Sequence, residues 1–372
     1  MHFANLDRQF QAQAPDILDA VKNVLSSGHY INGTAVEELE STLARYLNVP
    51  HAIGCASGTD ALLLSLLALD LPPGSEVITS AFGFIATAEV ILRAGFRPVF
   101  VDIDPRTYNL KPENIEQALT DRTRAILPAS LFGYSVDMTA IQNLADKLNL
   151  HVIEDGSQSL GAPGKDEKKV CGQSKLACVS FFPTKPLGCY GDGGMVFTND
   201  SLLAENIRLL KNHGFNKTGA SEKLGMNSRL DTLQAAILLA KWPRFHEEMH
   251  ARRQIARFYI QHFSHIPGIV FPAPKMVERH VFSQFTIECS FRDALKNHLE
   301  KKGVPSAVYY PVPLPQYKPF HFLKYSAEAF PNAQRAAARV LSLPINPYLT
   351  PQEQERIFES VLEFMGEVNK RL

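Results

Sequence analysis

A lysine held between two prolines is the first residue in this sequence that could do chemistry. Lys185 lies in segment 181–194, "FFPTKPLGCYGDGG", after an apolar run and ahead of a glycine cluster. Pro183 and Pro186 fix the turn, and the glycines permit close backbone packing, so the amine would be held at one angle. Partial desolvation lowers the pKa of a lysine amine, which then becomes a nucleophile that can form a Schiff base with a carbonyl carbon. The alternative is an ordinary solvated loop lysine.

A second stretch, "AIGCASGTDALLL", predicts a strand that runs through small residues into a helix. Ser57, Gly58 and Thr59 would present backbone N–H groups and hydroxyls at the start of that helix, which is how many proteins bind phosphate. An ordinary helix cap uses the same residue types. This stretch alone leaves both interpretations open.

Two further strand ends carry residues suited to an aromatic ring that contains nitrogen. "HVIEDGSQSLGA" places Glu154 and Asp155 where an apolar strand ends. Asp155 would form a charge-assisted hydrogen bond with a protonated ring nitrogen and keep it cationic, although a carboxylate there could also cap a loop. Phe84, in "TSAFGFIATAEVI", could lie flat on the ring or pack in the core.

These groups together describe a site for pyridoxal 5'-phosphate (PLP). No other common cofactor uses a phosphate site, an aspartate for a ring nitrogen and a Schiff-base lysine in combination. In open α/β sheets, ligands collect at the carboxyl ends of strands, which is where all three groups are predicted to lie.

The elements that position these residues follow an α/β pattern. Between residues 51 and 200, short apolar runs alternate with helix-like stretches, which predicts a largely parallel sheet wrapped by helices. The predicted strands are "HAIGCA", "EVITS", "RPVFVDID", "AILPASLFG", "HVIEDG", "ACVSFF" and "GMVFTN". A long helical pattern covers residues 231–263, and proline-rich loops follow it. We therefore predict a large PLP-binding domain at residues 1–243 and a small C-terminal domain at residues 244–372.

Length and composition limit the possible functions. A chain of 372 residues is long enough for two hydrophobic cores. Lys plus Arg and Asp plus Glu number 38 each, so no charge excess points to nucleic acid or an anionic membrane as a partner. No secretory signal or membrane span is predicted, and the five cysteines, which lack CxxC spacing, suit reduced thiols. A cytoplasmic location is expected.

With these stretches in place, the sequence resembles the DegT/DnrJ/EryC1/StrS family of sugar-nucleotide aminotransferases over nearly its whole length. The segments that carry the likeness are "GHYINGTAVEELE", "SGTDAL", "FVDIDPRTYNL", "IEDGSQSLGA", "SFFPTKPLGCYGDGG", "GMNSRLDTLQAA" and "LSLPINPYL". The resemblance implies the α/β fold of type I PLP-dependent aminotransferases. That fold has a large domain with a seven-stranded mixed sheet, a smaller C-terminal α+β domain, and a homodimer with shared active sites.

The resemblance also implies a role for each matching residue. Lys185 would carry the cofactor, Asp155 would bind the pyridine nitrogen, and Gln158 would contact the ring hydroxyl. Phe84 occupies the stacking position. The implied phosphate ligands are Gly58, Thr59, Ser180 and, from the neighbouring subunit, Asn227. Some relatives have histidine in place of the lysine and are dehydratases, so the lysine favours transamination.

Three further residues are predicted to contact the substrate. Arg229 fits a carboxylate or diphosphate, because its planar guanidinium binds such groups bidentately. A structural salt bridge, for example with Asp231, is the alternative. Tyr309 and Tyr310 lie in a stretch that the resemblance places against the sugar.

The sequence departs from its relatives at a few positions. Many relatives read "HYP" where this chain has Tyr309-Tyr310-Pro311, and they have a histidine where it has Asn346. Both stretches are expected to face the sugar. Gly156 and Ser157 replace common alanines after the aspartate.

Within the family, the sequence is most like enzymes that aminate C3 of UDP-2-acetamido-2-deoxy-3-keto-glucuronic acid, with L-glutamate as the donor. We therefore predict a PLP-dependent aminotransferase that uses this nucleotide sugar and L-glutamate in surface polysaccharide biosynthesis. The alternative is amination at C3 or C4 of a neutral TDP-, UDP- or GDP-keto-deoxyhexose.

Two remote alternatives to an aminotransferase are a zinc protease and a non-catalytic regulator that binds PLP. "HEEMH", residues 246–250, matches the HExxH pattern of zinc proteases, with both imidazoles on one helical face. It lies in the charge-rich segment "KWPRFHEEMHARRQ", which favours a solvated helix face, so no metal is predicted. A non-catalytic PLP-binding regulator would share the fold but would show no reaction with glutamate.

Overall fold

The computed structural model describes residues 1–371, apart from the side chains at positions 327, 369 and 371. The helices before residue 244 are α1 Leu6–Ser27, α2 Thr34–Leu47, α3 Gly58–Ala68, α4 Ala86–Arg93, α5 Pro112–Gln117, α6 Met138–Leu148, α7 Ser201–Leu210 and α8 Thr232–Lys241. Those after it are α9 Phe245–Phe263, α10 Arg292–Lys301, α11 Pro331–Arg339 and α12 Pro351–Arg371. None of the described helices has both the length and the apolar character needed to cross a membrane.

A seven-stranded mixed sheet forms the centre of the first part of the chain, as predicted. Its strands are β1 His51–Cys55, β2 Glu76–Ser80, β3 Arg97–Val101, β4 Thr123–Leu127, β5 His151–Asp155, β6 Leu176–Ser180 and β7 Gly194–Thr198. They lie in the order β1-β7-β6-β5-β4-β2-β3, and β7 runs antiparallel to both of its neighbours while the other pairs are parallel. Helices cover both faces, which is why the strands are continuous apolar runs.

A second, antiparallel sheet lies in the last third of the chain. Its strands are β8 Ile269–Val270, β9 Phe285–Cys289 and β10 Val340–Leu343, in the order β10-β9-β8. Side chains from α9, α10 and α12 pack with it in a separate hydrophobic cluster that includes Tyr259, Phe263 and Phe285. The division into domains at residues 243 and 244 stays a prediction.

The helical pattern predicted at residues 231–263 is two helices rather than one. α8 ends at Lys241, Trp242–Arg244 form a 3-10 turn, and α9 begins at Phe245. Pro243 explains the break, because proline has no N–H and its ring clashes with the preceding helical turn.

The "HEEMH" segment lies in the first turns of α9, and His246, Glu247 and His250, which form the HExxH pattern, lie on its exposed face as expected. The opposite face of the helix is not solvated. Glu248 and Met249 are buried. The Glu248 carboxylate accepts hydrogen bonds from the side chains of Gln9, Gln13 and Tyr348. Across the described residues, no group of three or more His, Cys, Asp or Glu side chains is arranged to hold a metal ion.

Candidate active site

Most of the predicted site residues meet in one cavity of about 420 Å³. The cavity lies at the edge of the large sheet where β1, β5 and β6 end and where α3 and α4 begin. The predicted residues in its lining are Ser57, Gly58, Thr59, Phe84, Asp155, Gln158, Ser180, Lys185, Tyr309 and Tyr310. Asn227 and Arg229 do not line it.

Lys185 lies in a tight turn that follows β6. Its backbone N–H donates to the carbonyl of Phe182 at 2.8 Å. Its side chain lines the cavity, and its amine forms no hydrogen bond or ion pair with any described residue. Burial lowers the pKa of this amine, and the negative charge of Asp155 opposes the shift. The amine is therefore neutral at a lower pH than a solvated lysine, which suits a nucleophile and a base.

Two hydrogen bonds hold the Asp155 carboxylate at the end of β5. The Thr87 hydroxyl donates to Oδ2 at 2.9 Å, and the Ser157 N–H donates to Oδ1 at 3.1 Å. The sequence analysis did not identify Thr87. Thr87 lies in the first turn of α4, three residues after Phe84, and no local signal in the sequence tied it to Asp155.

The start of α3 has the donors that a phosphate group requires. Ser57 caps the helix by accepting the Asp60 N–H at 3.0 Å, while the N–H groups of Gly58 and Thr59 donate to no described residue. A Cβ at position 58 would lie 2.5 Å from the Cβ of Ser180, so only glycine allows α3 to approach the end of β6 this closely. These free donors and the nearby hydroxyls fit the phosphate of PLP.

Phe84 and Gln158 provide surfaces suited to a planar ring. Phe84 is 52% exposed and lines the cavity, so it is not a core residue. The Gln158 amide is fixed at both ends, because Oε1 accepts the Phe132 N–H at 2.7 Å and Nε2 donates to the Tyr310 hydroxyl at 3.1 Å. The second N–H of this amide remains for a ring hydroxyl, so the residues present also fit the pyridine ring of PLP.

Asn227 and Arg229 lie on the loop that precedes α8. Asn227 is exposed, and its backbone forms a bridge with Asn212. The Nη1 atom of Arg229 donates to the Asn212 side-chain oxygen at 2.7 Å, and among the described residues Arg229 forms no ion pair with Asp231 or any other acid. The predicted roles of Asn227 and Arg229 stay predictions.

Two residues that differ from those common in relatives, Asn346 and Gly156, have specific contacts in this structure. Asn346 lines a small pocket beside the main cavity, and Thr184, Gln284 and Tyr309 line both. Its amide donates to the Phe3 carbonyl at 3.1 Å and accepts from the Asn5 side chain at 3.2 Å. That it faces the sugar stays a prediction. Position 156 is glycine for a steric reason, since a Cβ there would overlap the sulfur of Cys171.

The cavity of one chain carries little positive charge. Among the described residues that line it, Lys185 is the only lysine or arginine, while Asp155 and Asp192 are acidic. A substrate carboxylate would therefore find no second cation in this cavity.

The chain is similar to known aminotransferases over most of its length. The model of the DegT/DnrJ/EryC1/StrS aminotransferase family matches residues 11–362. The chain is 45% identical over 350 residues to the UDP-2-acetamido-2-deoxy-3-oxo-D-glucuronate aminotransferase of Pseudomonas aeruginosa, covering 94% of this chain and 96% of that protein. It is 43% identical over 354 residues to the UDP-N-acetyl-3-dehydro-alpha-D-glucosamine 3-aminotransferase of Acidithiobacillus ferrooxidans, covering 95% of each.

A solved structure agrees in fold. The crystal structure of a Bacillus subtilis protein with bound cofactor PMP superposes with a TM-score of 0.92 at 33% identity. The match covers 98% of this chain and 85% of that one.

Proposed function

As a member of the DegT/DnrJ/EryC1/StrS aminotransferase family, the chain is a PLP-dependent sugar aminotransferase, and we propose that it moves the amino group of L-glutamate to C3 of UDP-2-acetamido-2-deoxy-3-keto-glucuronic acid. The names of the P. aeruginosa and A. ferrooxidans relatives both specify a UDP sugar with an oxo or dehydro group at position 3, which supports UDP and C3. They differ in specifying a uronate or a glucosamine. The choice between an acidic and a neutral sugar therefore rests on residues of this chain.

The observation that carries the proposal is the unpaired amine of Lys185 in one cavity with the Asp155 carboxylate. PLP, when bound, withdraws electrons from the carbon next to the nitrogen it holds, which makes a proton on that carbon acidic. Asp155, held by Thr87 and Ser157, would keep a proton on the ring nitrogen and so strengthen this withdrawal.

Lys185 has two tasks in this proposal. Its Nζ atom would hold the cofactor before substrate arrives, and once released it would take up the substrate proton and return it at a second position. One positioned base typically contributes about 10²–10⁴-fold to a rate. The N–H groups of Gly58 and Thr59 would hold the phosphate, so the cofactor stays in place while the lysine is free.

A homodimer would complete the site. Asn227 and Arg229 lie outside the cavity of their own chain, and the family resemblance assigns Asn227 to the cofactor phosphate of a neighbouring subunit. We assign Arg229 to the same neighbouring site. Its guanidinium would supply the cation that the cavity lacks for the C6 carboxylate of the uronic acid.

The two half-reactions can be tested separately. Glutamate alone should bleach the visible band of the PLP-loaded protein and release 2-oxoglutarate, and the 3-keto uronic acid nucleotide should then restore the band. Lys185→Ala should do neither, and borohydride should attach a pyridoxyl group to the wild-type peptide that contains Lys185. A PLP-saturated wild-type protein that releases no 2-oxoglutarate would instead be a binding protein without this activity.

A further inference from the structure

We propose that Lys241 and Gln234, on one face of α8, are positioning residues that clamp the turn carrying Lys185 and thereby set where its amine lies. The proposal rests on the function assigned above. Neither residue lines the cavity, and neither was a candidate from the sequence.

Lys241 forms one half of the clamp. It is only 3% exposed, although lysine is rarely buried. Its Nζ atom donates to the backbone carbonyl of Gly188 and, at 2.9 Å, to the side-chain oxygen of Gln9 on α1. Gly188 is the third residue after Lys185, so this hydrogen bond joins α8 directly to the turn that carries Lys185.

Gln234 forms the other half. Its side-chain oxygen accepts the Tyr190 N–H at 2.9 Å, and its side-chain nitrogen donates to the Tyr190 carbonyl at 3.3 Å. Gln234 and Lys241 are seven residues apart, which is two helical turns, so they lie on one face of α8. This face therefore holds the chain at two points just after Lys185.

The buried ammonium of Lys241 is not explained by stability alone. Burial lowers its pKa to about 8, while Glu248 and Cys189 raise it and Arg252 lowers it further. A methionine would fill similar space without desolvating a charge, and replacing buried charges by apolar groups is often neutral or stabilising. What methionine cannot do is donate to the Gly188 carbonyl.

The clamp matters because Lys185 must both attack a carbon and move a proton. A misplacement of about 1 Å can cost a reaction about 100-fold. Loss of the Lys241 bond should therefore lower the single-turnover rate constant of the glutamate half-reaction at saturating glutamate by about tenfold or more, with the half-saturating glutamate concentration changed by less than about threefold. The freed turn should also alter the environment of the Lys185 amine.

Lys241→Met and a matched control, Lys211→Met, test the proposal. Lys211 is also largely buried, and its Nζ donates to the Gly54 carbonyl at 2.7 Å, away from the turn that carries Lys185. In each protein, the single-turnover rate constant of the glutamate half-reaction is measured as a function of glutamate concentration. In the protein without cofactor, the pH profile of Lys185 acylation is followed by mass spectrometry, which does not depend on activity.

We expect Lys241→Met to lower the single-turnover rate constant and shift the pH midpoint of Lys185 acylation. Lys241→Arg should recover part of both, and Lys211→Met should change neither. Gln234→Leu should repeat the effect and serves if Lys241→Met does not fold. An unshifted acylation profile, or equal single-turnover rate constants in the Lys241→Met and Lys211→Met variants, would overturn the clamp. A wild-type protein without any glutamate half-reaction would instead refute the function, and the acylation profile would still test the clamp.

Discussion

The Thr87 hydroxyl donates a hydrogen bond of 2.9 Å to the Asp155 carboxylate, and both residues are buried at the wall of the cavity. This bond links the first turn of α4 to the last residue of β5. A helix therefore sets the direction of a carboxylate that would hold the proton of the cofactor ring.

Replacing Thr87 by valine keeps the shape of the side chain and removes the donor. We expect PLP to bind about tenfold more weakly, because Asp155 can then turn away from the ring nitrogen. The free energy of unfolding should fall by about 1–3 kcal/mol, because a buried acceptor loses its partner. Thr87→Ser is the control that keeps the hydroxyl. Wild-type PLP affinity in Thr87→Val, measured by titration of the apoprotein, would contradict this prediction.

Glu154 should make the stability of the protein depend on pH. The side chain is fully buried, its Oε1 atom has no hydrogen-bond partner among the described residues, and burial raises its pKa from 4.5 to about 7. Because its pKa is higher in the folded than in the unfolded state, Glu154 contributes stability that is fully present below pH 4.5. This contribution is lost as the pH rises through about 7.

The glutamine of Glu154→Gln cannot ionise, so this variant should not lose stability in this way as the pH rises. Urea unfolding at about pH 5 and about pH 8 should show wild type losing up to ~3 kcal/mol more than the variant between the two values. Other titrating groups are common to both proteins and cancel in the comparison. Equal losses would show that Glu154 does not titrate in this range.

Gly156 and Cys171 should be energetically coupled. A Cβ at position 156 would overlap the Cys171 sulfur, so Gly156→Ala alone should lower the free energy of unfolding by about 1–3 kcal/mol. Combining it with Cys171→Ala removes the overlap with the sulfur, while Val170 Cγ1 would still lie 2.8 Å from the new Cβ. Part of that loss should therefore be recovered relative to Cys171→Ala alone. A double-mutant cycle by urea unfolding measures the coupling. Strict additivity of the two changes would show that the sites are independent.

Arg229→Ala should separate acidic from neutral sugar substrates. If Arg229 serves the C6 carboxylate, kcat/KM should fall by about 10–100-fold for the 3-keto uronic acid nucleotide, because a charge-assisted hydrogen bond is lost. It should change little for the neutral 3-keto N-acetylglucosamine nucleotide. Arg229→Lys is the control that keeps the charge without the planar fork. The same loss with both sugars would count against the uronic acid as substrate.

The sequence was sufficient for the features that depend on near neighbours in the chain. Each predicted apolar run overlaps one of the seven strands, because burial on both faces of a sheet requires apolar residues in succession. The strand ends then placed Asp155 and Lys185 correctly beside one cavity, since parallel strands share an edge. Pro243, by contrast, broke a helix that the apolar pattern had suggested was continuous.

Contacts between distant segments were decided only by the tertiary structure. The partners in the Thr87–Asp155 bond are 68 residues apart, and those in the Lys241–Gly188 bond are 53 apart. The charge-rich segment around Glu248 suggested a solvated helix face, and His246 and His250 do lie on one. The Glu248 carboxylate is nevertheless buried and accepts a hydrogen bond from Gln9, 239 residues away. A local sequence pattern indicates which residues favour burial or need a hydrogen-bond partner. The identity of that partner depends on how the helices and the sheet pack in three dimensions.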